Sequence, residues 1–178
     1  YYMHRPDPKV AIEDSMGALV RAKEAGKIGA IGLSEMSTEA VRRAHAVHPI
    51  AALQTEYSPW VRNPEIAGLE TCRELGIAFV AFSPVGRGYF GDWIKSADYR
   101  DGDIRTLFPR FQEPHLSRNL ALLDPFRDIA RELSISCAQL AIAWTLARAP
   151  HIIALPGTVN AAHLAEDLEA AKIVLSEE

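Results

Sequence analysis

Apolar positions along the 178-residue chain switch repeatedly between two spacings. Short continuous apolar runs fall at residues 1–4, 28–33, 51–57, 77–82 and 152–155, and read as buried strands. Between them, apolar residues recur three and four apart, as Ile12, Met16, Leu19 and Val20 do, which lays one stripe along a helix. Helices are predicted over 12–25, from Ser37 to about 48, and over 64–75, 118–133, 137–149 and 161–171. The punctuation agrees. Gly26 and Gly76 stand as stops, Ser37 as an N-cap with Glu39 in the first turn, Pro64 near a first helical position, and Pro49 where a helix must end. The order βαβαβαβ(αα)βα predicts a parallel sheet with crossover helices, and the first strands begin about every 22–26 residues, the repeat of a βα module. A closed barrel needs about eight such strands. From 83 to 117 the pattern lapses, and a lapse of that length inside a compact domain marks a functional or disordered segment.

Composition narrows the class. Hydrophobic residues make up 48% and charged residues 24%, values ordinary for a soluble domain with a real core. A net charge of −4 gives no footprint for nucleic acid or an anionic membrane. No apolar run approaches the ~20 residues of a membrane helix. Cys72 and Cys137 are too few for a disulfide framework, so a reduced, cytoplasmic protein is expected. The chain opens on what reads as a strand end and closes where a helix is about to begin, so a fragment is expected.

In a parallel α/β barrel, chemistry sits at the C-terminal ends of the strands. His4 and Arg5 end the first strand, Ser34 and Glu35 the second, and Gln54, Glu56 and Tyr57 the third. Phe82, Ser83 and the run Pro84-Val85-Gly86-Arg87-Gly88 end the fourth; Pro156-Gly157-Thr158 ends the fifth, just before a helix start that also suits an anion. Each has a plainer alternative. A strand-end histidine is often a structural hydrogen-bonder, Gln54 is equally a satisfied core amide, and Gly86-Arg87-Gly88 is equally a hinge. His45, His48, His115 and His151 lack metal-ligand spacing and read as surface or loop residues; Asp101 and Asp103 read as solvated. No Walker loop or G-x-S-x-G elbow occurs.

Taken in order, Tyr1-Tyr2-Met3-His4-Arg5-Pro6-Asp7, Gly32-Leu33-Ser34-Glu35, Leu53-Gln54-Thr55-Glu56-Tyr57-Ser58, Ala81-Phe82-Ser83-Pro84-Val85-Gly86-Arg87-Gly88 and Leu155-Pro156-Gly157-Thr158 resemble the aldo-keto reductase superfamily. The Gly-Leu-Ser-Glu form and Pro109-Arg110-Phe111 are most similar to the branch that includes the plant perakine reductase and its bacterial relatives. The resemblance implies an α/β fold, the (β/α)8 TIM barrel, represented over 1–178 by about its last five βα units as one partial domain with the N-terminal strands missing. It implies hydride transfer from NADP(H), or NAD(H), to an aldehyde or ketone. His4 matches the family's catalytic histidine, which holds the carbonyl oxygen as charge develops on it. The family's tyrosine, lysine and aspartate belong to earlier strands, and Tyr1 and Tyr2 do not match that tyrosine's motif. The resemblance further implies that Ser34 and Gln54 bind the nicotinamide carboxamide, with Glu35 where many members carry asparagine. Phe82 would stack on the ring, Ser83, Pro84, Val85, Gly86 and Arg87 would wrap the pyrophosphate, and Gly157, Thr158, Glu166 and Asp167 would hold the adenosine end. Family members often carry Arg or Lys just after Gly-Thr as a 2′-phosphate clamp; here Val159 and Asn160 follow. Losing that contact costs about 1.5–3 kcal/mol, partly offset by His163 or Arg87, and opens the site to NADH. Trp60, Arg5 and the aromatic 88–117 segment are expected to line the substrate mouth, the alternative being simple loop anchoring. The expected partners are a small carbonyl compound and either a second copy or the missing N-terminal part, with no nucleic acid and no membrane. The alternative to an enzyme is a catalytically incomplete nucleotide-binding partial barrel with a binding or structural role, as in potassium-channel β subunits, which share the fold. Five units alone are expected to be inactive.

Overall fold

A computed structural model describes residues 1–91 and 93–176. Its centre is a five-stranded sheet in sequence order, every neighbouring pair parallel: β1 (Tyr2–Met3), β2 (Gly32–Ser34), β3 (Ala52–Glu56), β4 (Ala78–Phe82) and β5 (Ile152–Leu155). Parallel neighbours require crossovers, and helices supply them. These are α1 (Ile12–Glu24), α2 (Thr38–Val47) and α3 (Gly68–Leu75), then α4 (His115–Ala121), α5 (Leu123–Glu132) and α6 (Cys137–Ala147) between β4 and β5, with α7 (Ala161–Glu169) last. No helix of the described residues is long and apolar enough to cross a membrane.

Local chemistry sets the element ends. The Ser37 hydroxyl accepts from the Ala40 amide and caps α2. Ser136 and Gln139 form a reciprocal capping box on α6. Gly76 ends α3 at φ 67°, in the left-handed region. Gly32 is needed for another reason: a Cβ there would lie 2.6 Å from the Tyr2 ring on the next strand.

Three predicted elements are corrected. The strand expected over 28–33 forms pairs only at Gly32–Ser34; residues 28–31 lead up to it. The helix expected over 64–75 begins as a separate 3₁₀ turn, Asn63–Glu65, broken at Ala67 by a φ of −157°. The helix expected over 118–133 starts at His115 and is cut at Leu122. Pro125 explains the cut: it lacks an N–H and fits only the first turn of a new helix.

Two hydrophobic cores result. One lies under the sheet and joins Met16, Leu33, Val41, Leu53, Phe79 and Ile77. The other lies under the segment that lacks periodicity, and joins Tyr89, Phe90, Ile94, Phe111, Leu116 and Leu123. Helix α6 lies between them and is apolar on all sides; Ala141 packs in the second core and Trp144 against the first. Ile153 and Leu155, two apart on β5, remain exposed on one face.

Candidate functional site

All five strands point the same way, so their C-terminal ends make one rim. Three non-glycine residues on or beside it have positive φ: Glu35 (53°), Ser83 (53°) and Arg87 (56°). Such strain costs about 1–3 kcal/mol per residue and tends to collect at functional sites. Between Ser83 and Gly88 the chain turns tightly, with Gly86 N–H donating to the Ser83 carbonyl at 2.8 Å and Gly88 N–H to that of Val85 at 3.1 Å. Gly88 sits at φ 90°, and a Cβ there would lie 2.4 Å from the Trp93 ring.

This turn forms one wall of a cleft of about 990 Å³. The opposite wall comes from the β5 end and α7. Of the residues singled out from the sequence, Ser83, Pro84, Val85 and Arg87 meet Gly157, Thr158, His163, Glu166 and Asp167 across it. Their separation in sequence is more than 65 residues at its smallest, and the β4–β5 pairing (Phe82 opposite Leu155) brings them together. Thr158 Oγ1 accepts from the Asn160 amide at 3.1 Å, and Asn160 caps α7 through the Ala162 amide at 2.8 Å. Asn160 is therefore engaged locally, while Val159 is fully exposed. Asp167 is buried; that burial, and then the charge of Glu166, raises its carboxyl above the ordinary value. Cys137, in the first turn of α6, lines the same cleft, a position that sequence reasoning did not select.

The other sequence-selected residues lie outside the cleft lining, along the rim. Ser34 is buried on β2 directly opposite Gln54 on β3. Phe82 ends β4, with the Arg87 guanidinium 5.6 Å from its ring centre. Gly86 is buried behind the turn. His4 follows β1 and is exposed. Arg5 Nη1 lies 3.3 Å from Glu35 Oε2, and Glu35 Oε1 accepts from the Glu56 amide at 2.7 Å, so a carboxylate bridges three strand ends. Trp60 is half-buried, its ring centre 3.8 Å from that of Tyr89 in a tilted pair and 5.7 Å from that of Phe111 edge-on. Tyr89 and Phe111 are core residues of the second cluster and lie outside the cleft lining; Phe90, buried in the same cluster, lines the cleft with the exposed ring of Trp93.

Two sequence readings change. Asp103 is not solvated: it caps the 3₁₀ turn Ile104–Leu107 and pairs with Arg105 through both oxygens. Those Arg105 hydrogen bonds draw its carboxyl down to about 2. Glu56, taken as one of several strand-end polar residues, is the centre of an ion-pair cluster. Its Oε2 accepts from Arg87 at 2.9 Å and its Oε1 from Arg110 at 2.7 Å. Only the expectation of polar groups at strand ends pointed to it; Arg110 arrives from 54 residues away with no periodicity to announce it. No group of three metal-ligating side chains occurs among the described residues.

The residues present fit a dinucleotide. The cleft is of cofactor size, glycine backbone and a cation stand at one wall, and a buried carboxylate stands at the other. Comparison with known proteins points the same way. The Aldo/keto reductase family profile matches residues 1–178. The chain is 44% identical to the aldo-keto reductase str7 of Strobilurus tenacellus, over 100% of this chain and 54% of that protein. It is 42% identical to the aldo-keto reductase yakc [NADP(+)] of Schizosaccharomyces pombe, over 99% of this chain and 53% of that protein. Among solved structures, a glycerol dehydrogenase from Gluconobacter oxydans superposes with a TM-score of 0.89 at 26% identity, over 99% of this chain and 54% of the other. The chain thus spans about half the length of the relatives it matches, and its five βα units are part of their (β/α)8 barrel. The chain belongs to the aldo/keto reductase family.

Proposed function

We propose that the protein these residues belong to reduces aldehydes or ketones to alcohols with NADP(H), and that the cleft between β4 and the β5–α7 connection holds the dinucleotide. The observation that carries this is the meeting of the 83–87 turn with Gly157, Thr158 and Asp167 across one cavity. The cofactor named for the S. pombe relative supports NADP(H). A reduced nicotinamide, when bound, supplies the hydride. The residues of this chain do the rest. Ser34 and Gln54, facing each other on β2 and β3, bind and orient the carboxamide, and Phe82 offers a ring face. Arg87 offers positive charge to the pyrophosphate. His4 holds the carbonyl oxygen and stabilises the charge that develops there as it becomes an alcohol. Trp60 and Arg5 border the substrate's approach. Fully exposed Val159 favours a second reading in which NAD(H) is used nearly as well, because no cation stands there for a 2′-phosphate.

Completing the site requires the family's tyrosine, lysine and aspartate. We propose that further βα units or a second copy cover Ile153 and Leu155 and close the barrel, that residues 1–178 alone do not reduce carbonyls, and that the protein works in the cytoplasm. The alternative, a nucleotide-binding partial barrel with no turnover in any form, predicts binding without chemistry even when the barrel is complete.

A fluorescence titration of residues 1–178 with NADPH and NADH, followed by an aromatic aldehyde, tests these readings. The expected result is binding of both cofactors within about tenfold of each other, equivalent to ~1.4 kcal/mol, and no turnover. Binding of neither removes the cofactor assignment. Rapid turnover contradicts the need for the family's tyrosine, lysine and aspartate. In a completed barrel, His4→Ala is expected to lower kcat about 100-fold with little change in cofactor affinity; loss of affinity with unchanged kcat removes that role.

A further inference from the structure

Several arginine–carboxylate pairs among the described residues are closed forks. Arg43 meets Glu13 through Nε at 2.7 Å and Nη2 at 2.8 Å, one on each oxygen. Arg62 meets Glu65 the same way, at 2.9 and 2.6 Å. This bidentate geometry is the stronger one for two partners. Glu56 departs from it. It gives one oxygen to Arg87 and the other to Arg110, each through a single Nη2, and both arginine Nε atoms are buried without a hydrogen-bond partner. Two forks are forgone so that one carboxylate can hold two segments.

Both guanidiniums also lie over the Phe108 ring, at 4.6 and 4.9 Å from its centre. The Glu56 carboxylate is 14% exposed and its partners 19% and 26%. Its backbone is fixed from below by the five-residue register of β3 on β4, and from the side by the hydrogen bond its N–H donates to Glu35 Oε1. Arg87 belongs to the turn on the cleft wall. Arg110 belongs to the turn Pro109–Phe111, whose Phe111 anchors the second core.

We propose that Glu56 is a positioning residue that ties the 83–88 turn to residues 106–111, which, unlike Asp103, Ile104 and Arg105, do not line the cleft, so that a dinucleotide seated against the first orders the second. This rests on the reading of the cleft as a dinucleotide site. Cofactor binding then shapes the segment beside the substrate's approach before any carbonyl arrives.

Hydrogen exchange on residues 1–178, with and without NADPH, tests it. In the parent, NADPH slows exchange over both 83–91 and 106–112. In Glu56→Gln, one acceptor becomes a donor facing an arginine. NADPH is expected still to protect 83–91, while protection of 106–112 falls at least fivefold. Arg110→Met cuts the same link from the other end and leaves Glu56 on Arg87, so it serves if Glu56→Gln fails to fold, with the same expected split. Undiminished protection of 106–112 in the variant that folds overturns the proposal. If NADPH protects neither stretch in the parent, the cofactor reading fails instead, and the tie is read without nucleotide. Arg87→Met must then speed exchange over 106–112 severalfold, and less so when combined with Arg110→Met; unchanged exchange overturns it.

Discussion

The two cores of this protein are built from different materials. Under the sheet, mostly aliphatic side chains such as Met16, Leu33 and Val41 pack at helix and strand spacing around one edge-on ring pair, Tyr57 and Phe79. Under the 83–126 region, aromatic rings stack edge-on and tilted, as Tyr89 on Phe90 at 5.0 Å and Phe90 on Phe126 at 4.6 Å, and arginines lie on their faces. The first core is held by periodic burial, the second by a few large rings and by ion pairs that tie distant turns. A long segment without regular elements can therefore be ordered, at the cost of concentrating its stability in a handful of residues.

The largest effect is expected from Phe79→Ala, which opens a cavity at a fully buried site under the sheet. A loss of about 3–5 kcal/mol is expected, close to the whole stability of a marginal domain, and urea unfolding measures it. Phe111→Ala, equally buried, is expected to cost about 3 kcal/mol but to loosen mainly 83–126. The two cysteines report which region opens. Cys72 lies in the sheet core, where burial pushes its thiol up to about 11, and Cys137 lies on the cleft. In Phe111→Ala, alkylation of Cys137 should quicken while Cys72 stays protected. Simultaneous exposure of both would break the comparison, since the cores would then unfold as one unit.

Smaller effects sharpen it through pH. Arg105 depresses Asp103, so this pair contributes stability above the ordinary aspartate value of 3.8 that is lost as pH falls towards about 2. Thermal melts between pH 5 and pH 2.5 should therefore fall more steeply in the parent than in Arg105→Met. Asp167 carries the opposite sign. Its raised value means that its contribution is present below 3.8 and lost as pH rises through the folded value. Asp167→Asn should raise the melting temperature slightly at pH 7 and leave it unchanged at pH 3; a gain at both would assign the effect to packing instead.

What could be read from the sequence follows the same division. The strands were legible as short continuous apolar runs, α1 and α2 because their apolar residues recur at a fixed spacing, and α6 because its apolar run is too long for a strand. Gly157 and Thr158 were legible because strand ends in a parallel fold face one way. The break at Leu122 was missed although Pro125 signals it, because the apolar spacing continues across it. The Glu56 cluster was not legible, since nothing local to Arg87 or Arg110 encodes their shared partner. The burial of Tyr89 and Phe111 was open for a related reason: aromatic residues in a loop look the same whether they wall a pocket or fill a core.

The order in which strands pair has a consequence for synthesis. β2, β3 and β4 each pair with the strand made just before across a short crossover, so the sheet up to β4 needs only nearby chain. β5 pairs with β4 across the intervening residues 83–151, and the cleft exists only where those two strands meet. During translation, four strands can therefore form while the nucleotide cleft does not yet exist. The segment that carries the second core must emerge and collapse first, and a nascent chain stalled before Ile152 would display an ordered sheet unable to hold a dinucleotide.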